Sequence, residues 1–385
     1  MIESALGLSA LIASAAALSF WVERKWPAFS RVGAALLAIL FGAVISNLGL
    51  VPGQSAVYDS ISGTVTSLAI AWLLLSVNVR DLRAAGRPML IAFGLAGAGT
   101  AAGAFVGALV FGGTFGGDTW RLAGTLTGTY SGGSVNFVAV ATGVELPDRL
   151  FAGTTAADAL TTALWLGVTL MLPFQLTRWF PPIAAEAETG AGAGPTIDED
   201  QEHHPFFIKE RISTLDLGIL LAAGSIVLVV SEGLASLTPG IPSVLWLTTL
   251  ALALGHLTAL GRVPGAMQLG SLALQLFFVV IGIHSRISEI LSVGVEVFWL
   301  TLVIVGVHGL VVYGFGRLLK LDLATLSVAS QAAVGGPSSA LAVAVAREWR
   351  GLILPGIAVG LFGYAVGNYL GFGVASLVRA LGIGL

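Results

Sequence analysis

The stretch Thr129-Tyr130-Ser131-Gly132-Gly133-Ser134-Val135-Asn136 lies inside an apolar segment, and a similar stretch, Ala333-Val334-Gly335-Gly336-Pro337-Ser338-Ser339, follows about 200 residues later. Glycine and proline weaken helices, and peptide groups left unpaired inside a bilayer cost several kcal/mol each. Such a break is therefore expected only where it is buried in protein or lines a wet cavity. One break in each half of a chain is typical of the binding site of a secondary transporter.

The composition indicates a membrane protein. Of 385 residues, 56% are hydrophobic and 10% are charged, and the mean hydropathy is +0.93. A spanning helix needs about 20 apolar residues, and the candidate segments are 2–21, 32–50, 56–77, 91–112, 121–142, 150–172, 217–237, 243–260, 267–284, 292–316, 323–346 and 352–378. A net charge of −3 without a basic patch excludes a nucleic-acid partner. The absence of cysteine excludes disulfides, cysteine-ligated metals and thiol catalysis.

The apolar segments form two membrane halves, 1–176 and 215–385, which are separated by a polar linker at 177–214. The linker contains Pro181-Pro182, a glycine–alanine stretch at 190–194 and an acidic run at 198–200. We interpret His203-His204 in this linker as an exposed dipeptide rather than a metal site.

Short words recur in the same order in both halves, which predicts an internal repeat. The pairs are 48–53 with 260–265, 67–69 with 271–273, and 132–133 with 335–336. The last two pairs are separated by 204 and 203 residues. Repeats of this kind are common in secondary transporters.

The positive charges favour one of two topologies. Lys and Arg collect in cytoplasmic loops, but twelve crossings would place only ten of the 18 there. If the two Gly-Gly segments enter and return as hairpins, only Arg121, Arg149, Arg286 and Arg379 remain outside. Each half then has five crossings, so the two halves are inverted repeats and the hairpins enter from opposite sides, with their tips near the midplane. In this topology both termini lie outside and the linker is cytoplasmic. The alternative is a pair of broken helices that cross the membrane, which leaves a site at each break but changes the topology.

Polar groups surround both breaks and predict a binding site. Carbonyl and side-chain oxygens suit Na⁺, whereas amides at helix N-termini suit a carboxylate. The candidates are Tyr130, Ser131, Gly132, Gly133, Ser134 and Asn136 at the first break, and Gln331, Gly335, Gly336, Ser338 and Ser339 at the second. The alternative interpretation is that the glycines only permit close helix packing.

Asp158 is the outstanding ionisable residue at membrane depth. Thr154 lies four residues before it, and Thr155 and Thr162 fall on the same helical face. We expect this carboxylate either to bind Na⁺, together with Asn136, or to exchange a proton. A neutral, hydrogen-bonded core aspartate is the alternative.

Other polar residues in the spans suggest lesser roles. The counterpart segment 352–378 offers Tyr364 and Asn368 instead of a carboxylate, which indicates one titratable site rather than two. His308 is expected to be a hydrogen-bonded structural histidine rather than a proton carrier. His284 closes its span as an interfacial anchor, and Glu296 lies close enough to a segment end to reach the headgroups.

Three of these motifs resemble those of the YjcL-like family, the domain of unknown function 819, over nearly the whole chain. They are Tyr-Ser-Gly-Gly-Ser-Val-Asn-Phe-Val-Ala-Val at 130–140, Thr-Ala-Ala-Asp-Ala at 155–159 and Gly-Gly-Pro-Ser-Ser-Ala at 335–340. The resemblance implies kinship with cation–proton antiporters, bile-acid–sodium symporters and sodium–glutamate symporters. It also implies inverted repeats, a homodimer, an elevator-like moving core, and Asn136, the serines and Asp158 in the ion and substrate region. The chain lacks the Asp-Asp or Asn-Asp pair of the antiporters, which argues against simple Na⁺/H⁺ exchange.

The sequence therefore predicts an all-α polytopic membrane protein that transports a small organic, anionic solute by ion-coupled alternating access. The protein is expected to form a homodimer in the bilayer of a bacterial inner membrane and to bind the solute. Na⁺ or H⁺ would be the coupling ion, and no other cofactor is expected. The Gly-Gly elements with 150–172 and 352–378 would hold the site, and the other spans would form a scaffold. A passive channel, a cation/proton antiporter without organic substrate and a membrane-embedded enzyme are alternatives, although no hydrolase, zinc-protease or phosphate-binding motif indicates an enzyme.

Overall fold

The computed structural model describes residues 2–26, 33–77, 85–182, 211–284 and 287–384, which form helices joined by short turns. Most of the linker, with His203-His204, lies outside these residues, as does Arg286. Within them, nine stretches of helix are long and apolar enough to cross a membrane, and three shorter apolar helices accompany them. The prediction of an all-α polytopic membrane protein is confirmed.

The helices coincide with the predicted apolar segments. Those of the first half are α1 (Ala5–Lys25), α2 (Ala34–Asn47), α3 (Ala56–Leu75), α4 (Gly86–Phe115), α5 (Thr119–Gly132), α6 (Ser134–Gly143) and α7 (Asp148–Leu176). Those of the second half are α8 (Thr214–Leu237), α9 (Ser243–Leu257), α10 (Ala266–His284), α11 (Ile287–Leu318), α12 (Leu323–Ala346) and α13 (Ile353–Ala380). Two helices are irregular: α3 contains a π-helical turn at Ile61–Val65, and α12 is broken at Gly336.

Several helices begin at side chains that cap the first turn. Ser4 accepts a hydrogen bond from the Gly7 amide at the start of α1, and Asp322 accepts one from the Thr325 amide at the start of α12. Ser213 and Asp216 form a reciprocal capping box on α8. Each cap satisfies a backbone donor that has no partner inside its own helix.

The helices pack in two bundles, and each bundle draws on both halves of the chain. The scaffold bundle contains α1–α3 and α8–α10, and the core bundle contains α4–α7 and α11–α13. The sequence-based assignment of α4 and α11 to the scaffold was wrong. Glycines of α4 lie directly on the α11 backbone: Gly103 contacts Ile304 and Gly99 contacts His308. Small residues of this kind let two helices approach closely.

The halves share one order of elements: three scaffold helices, a long core helix, a Gly-Gly element and a second long core helix. The counterparts α4 and α11 run antiparallel, because Gly99, Gly103 and Gly107 face His308, Ile304 and Leu300 in reverse order. Inverted repeats require equivalent helices of the two halves to run antiparallel, as α4 and α11 do. That the two halves are repeats of each other stays a prediction.

Candidate binding site at the hairpin tips

The first Gly-Gly element is a helical hairpin. The chain reverses at Gly133, whose φ of 89° and ψ of −168° suit glycine but strain other residues. The Arg121 side chain donates through Nε to the Val144 carbonyl at 2.9 Å, across 23 residues of sequence. A Cβ added at Gly128 would lie 2.9 Å from Val140 Cγ2. Thus α5 and α6 are antiparallel arms, called here the first hairpin.

The second Gly-Gly element folds in the same way. Gly336 has φ 77° and ψ −170°, nearly the same conformation as Gly133. Gly356 of α13 faces both Val328 and Ala340, at 2.5 and 3.3 Å from its added Cβ. A straight helix would separate these two residues by about 18 Å. The arms 323–335 and 337–346 therefore fold back on each other as the second hairpin.

The two hairpins open on opposite faces of the protein. The open end of the first hairpin lies beside the start of α7, since Asp118 contacts Arg149 at 4.0 Å. The second begins at Asp322, directly after α11, whose Arg317 stacks on Trp179 beyond the other end of α7. The 29 residues of α7 separate these ends by about 44 Å. The broken-helix alternative is excluded for both elements.

The tips of the two hairpins meet. A Cβ added at Gly133 would lie 3.6 Å from Gly336 Cα and 3.6 Å from Cε1 of Tyr364. Helix α13 passes both tips, with Gly363 against Gly132 and Gly360 against Pro337. The break residues, Gly132, Gly133 and Gly336, thus lie together with Tyr364 at one place.

An asparagine network lies beside the tips. Asn136 Nδ2 donates to Asn368 Oδ1 at 2.9 Å and to the Tyr364 carbonyl at 3.0 Å. Asn368 Nδ2 in turn donates to Thr248 Oγ1 of α9, in the scaffold bundle, at 2.9 Å. Asn136 Oδ1 is buried without a hydrogen-bond partner. Thr248 is not predicted by the sequence, because one hydroxyl in an apolar helix carries no signal of its own.

Asp158 lies in a separate group of hydroxyls. Thr162 Oγ1 donates to Asp158 Oδ1 at 3.2 Å. The Tyr130 hydroxyl faces the same carboxylate but makes no hydrogen bond of good geometry with it. Thr161 and Thr301 lie next to this tyrosine, and their hydroxyl oxygens are hydrogen-bonded to each other at 2.6 Å.

The predicted face of α7 is only partly assembled around the carboxylate. Thr155 donates to the Phe151 carbonyl of its own helix, and Thr154 is buried without a partner. Asp158 and Asn136, proposed together as Na⁺ ligands, share no partner among the described residues. Within the same residues, no cluster of three or more His, Asp or Glu side chains is arranged to hold a metal.

A chain of hydrogen bonds centred on His308 connects the two hairpins. Thr100 Oγ1 donates to the Tyr130 carbonyl of the first hairpin at 2.8 Å and lies 2.9 Å from His308 Nδ1. His308 Nε2 lies 2.8 Å from Ser330 Oγ of the second hairpin. Ser330 also accepts from Trp165 Nε1 at 3.0 Å. Of these residues, only His308 and Tyr130 were singled out from the sequence.

The partners of His308 determine its tautomer. The Ala96 carbonyl, 3.1 Å from Nδ1, only accepts, so Nδ1 carries a proton. Because Trp165 only donates to Ser330, the serine hydroxyl is free to donate to Nε2. A neutral ring satisfies every bond in the chain, which agrees with the structural role predicted from the sequence.

The other predicted site residues differ in exposure. Gln331 Oε1 accepts from Thr169 Oγ1 at 3.3 Å, while its Nε2 is buried without a partner, as is Ser131 Oγ. Ser339 lies beside Gly335 and Gln331. Ser134 is exposed, and Ser338 and Ser339 are half-buried. Each unpaired buried group costs about 1–3 kcal/mol, so the tips hold polar atoms that a bound solute can satisfy.

Comparisons with known proteins identify the family of this chain. The family model described as "Protein of unknown function (DUF819)" matches residues 10–381. "Uncharacterized membrane protein YjcL" of Bacillus subtilis (strain 168) is 30% identical over 379 residues, which cover 94% of this chain and 93% of that protein. The resemblance drawn from the motifs is confirmed, and the chain is a membrane protein of the DUF819 family.

Proposed function

We propose that this protein is an ion-coupled secondary transporter of a small organic anion, working by alternating access, and not an enzyme. The observation that carries the proposal is the contact between Gly133 and Gly336, at the tips of hairpins that open on opposite faces. A solute held at this contact is separated from each face by one hairpin, so it can be released to either side.

The polarity of the tips supports an anionic solute. The second arm of each hairpin begins at the tip, so two helix N-termini point at the same place. Pro337 opens one of these arms without an N–H, but the amides that follow it and the first amides of the other arm have no partner inside their helices and lie at the positive end of the helix dipole. Gln331 Nε2 and the Ser131 hydroxyl add unpaired donors. A carboxylate is the simplest group that satisfies such a set.

The Asp158 group supports coupling to a cation. One carboxylate with the hydroxyls of Thr162 and Tyr130 nearby offers oxygen ligands to Na⁺ or a single exchangeable proton. The position of Tyr130 links the two functions, since it is adjacent in the chain to Ser131 at the tip.

The proposal extends to topology and assembly. The distribution of Lys and Arg supports a bacterial inner-membrane protein with outside termini and a cytoplasmic linker. The split into core and scaffold bundles supports an elevator-like motion, with the scaffold as the surface of a homodimer.

A ligand screen followed by transport assays tests the function. Purified protein is first screened by thermal shift against small organic acids with and without Na⁺ across pH, because a ligand at 100 times its Kd stabilises by about 2.7 kcal/mol. The ligand found is then assayed in proteoliposomes for gradient-driven uptake and counterflow. We expect Asp158→Asn to abolish coupled uptake while the protein stays folded. The control Glu296→Gln, an exposed carboxylate on α11, should transport normally.

The alternatives give different results in the same assay. Uptake by Asp158→Asn with an unchanged ion requirement would refute the role of Asp158. Flux without saturation or counterflow would indicate a channel, and Na⁺/H⁺ exchange with no organic ligand would indicate an antiporter.

A further inference from the structure

A polar cleft of about 820 Å³ opens on the face where the first hairpin opens. Its scaffold side includes Asn47, Asp59 and His284, and its core side is Asp148, the first residue of α7. His284 Nδ1 lies 2.9 Å from Asp148 Oδ2, so the two bundles are joined across the cleft by this contact. The cleft therefore lies on the boundary between core and scaffold.

Four phenylalanine rings pack against one another below the cleft. Phe137 and Phe151 come from the core bundle, and Phe277 and Phe278 come from the scaffold. Phe151 is central: its ring centroid lies 4.5 Å from that of Phe137, 5.3 Å from Phe277 and 6.4 Å from Phe278. All four side chains are at most 5% exposed. We call these four rings the phenylalanine plug.

The plug lies between the cleft and the hairpin tips. Phe151 is three residues deeper along α7 than Asp148, about 4.5 Å along the helix axis. Phe278 is five residues deeper along α10 than Ile283, which lines the cleft, about 8 Å along the axis. Phe137 directly follows Asn136, whose side chain bonds beside the tips.

We propose that the cleft is the entrance to the binding site from this face and that the phenylalanine plug is its gate. The inference rests on the proposed transport function and adds the path by which a solute reaches the tips. Since each bundle supplies two rings, a displacement of the core against the scaffold separates Phe137 and Phe151 from Phe277 and Phe278. Phenyl rings exclude water and ions when closed, and they part without leaving polar groups unpaired.

The absence of cysteine from the natural chain makes accessibility the direct test. Asn47→Cys places a thiol in the cleft, and Ser131→Cys places one at the buried tip. Membrane vesicles are treated from one side with an impermeant methanethiosulfonate reagent, and the side on which Asn47→Cys reacts identifies the cleft. With the plug intact, Ser131→Cys should react slowly from that side.

Opening the plug should expose the tip. In the Ser131→Cys background, Phe151→Ala is expected to raise the modification rate from the cleft side at least tenfold, and Phe277→Ala, from the other bundle, should act likewise. The matched control is Phe372→Ala, which removes a similarly buried ring that packs on Gly143 instead. Thermal unfolding and gel filtration show that each variant is folded, and Phe151→Leu provides a milder truncation if alanine is not tolerated.

Several results would overturn the gate. An unchanged rate in a folded plug variant, an equal rise in Phe372→Ala, or fast modification with the plug intact would each do so. The measurement needs no solute, so it does not depend on transport being observed. A gate that behaves as expected in a protein without uptake would count against the transport proposal alone.

Discussion

Gly363 is the point where α13 and the first hairpin tip have no room for a side chain. A Cβ at this position would lie 2.8 Å from Gly132 Cα and 2.8 Å from the Ser131 carbonyl oxygen, whereas ordinary contact begins at 3.4 Å. Both atoms belong to the backbone, so Gly363→Ala must move the tip by about 0.6 Å. Overpacking of this kind costs about 1–3 kcal/mol, which the better helix propensity of alanine offsets by about 1 kcal/mol.

Gly373 on the same helix provides the matched control. A Cβ there meets nothing within 4 Å, so Gly373→Ala should show only the gain of about 1 kcal/mol from helix propensity. The difference between the two variants, about 1–3 kcal/mol, isolates the contact with the tip. It is measured by thermal or denaturant unfolding of the purified protein in detergent.

Binding of the ligand from the thermal-shift screen gives a second readout. Gly363→Ala should bind this ligand more weakly than wild type, because the tip that carries Ser131 has moved, and Gly373→Ala should bind it normally. Equal stability and equal affinity in the two alanine variants would refute the tight contact and the placement of the site at the tip.

Three further substitutions test the hydrogen bonds around the site. His308→Ala should destabilise the protein by about 2–4 kcal/mol, from the cavity and the unpaired partners it leaves. Any folded variant of His308 should show the same pH dependence of uptake as the wild type. Loss of this pH dependence would indicate that His308 carries a proton during transport. With Na⁺ as the coupling ion, Thr162→Val should weaken its binding about fivefold, because it removes one hydroxyl oxygen worth about 1 kcal/mol beside Asp158. Thr155→Val removes a hydrogen bond within its own helix and should leave binding of this ion unchanged. Equal losses of ion affinity in the Thr162 and Thr155 variants would contradict the assigned geometry. Asn368→Leu should lower solute affinity about tenfold or more, because it leaves the buried Asn136 amide without this partner. The affinity is measured by titration calorimetry, and an unchanged value would show that the asparagine network is not part of the site.

Local signals were sufficient for the elements and for the breaks. Each run of about 20 apolar residues became a helix, because a continuous apolar segment in lipid pairs its backbone groups within itself. The Gly-Gly pairs became reversals, since Gly133 and Gly336 adopt positive φ angles that other residues rarely adopt. Charge counting also favoured the hairpins over two crossing helices, because only Arg121, Arg149, Arg286 and Arg379 then remain outside.

Contacts between distant segments had no such signal. Thr248, Thr100 and Ser330 are ordinary hydroxyls in apolar helices, and only the folded chain brings them to Asn368 and His308. The same holds for the phenylalanine plug, whose rings come from three helices and are unremarkable in the sequence.

The sequence by itself determined a helical membrane protein with two breaks, because hydropathy and glycine conformation act over a few residues at a time. Only the tertiary structure decided that the breaks touch, that Asp158 and Asn136 belong to different groups, and that α4 and α11 belong with the hairpins. Those outcomes depend on which small residues of one helix meet the backbone of another. Such pairings are set by the packing of the whole chain, and no single segment carries them.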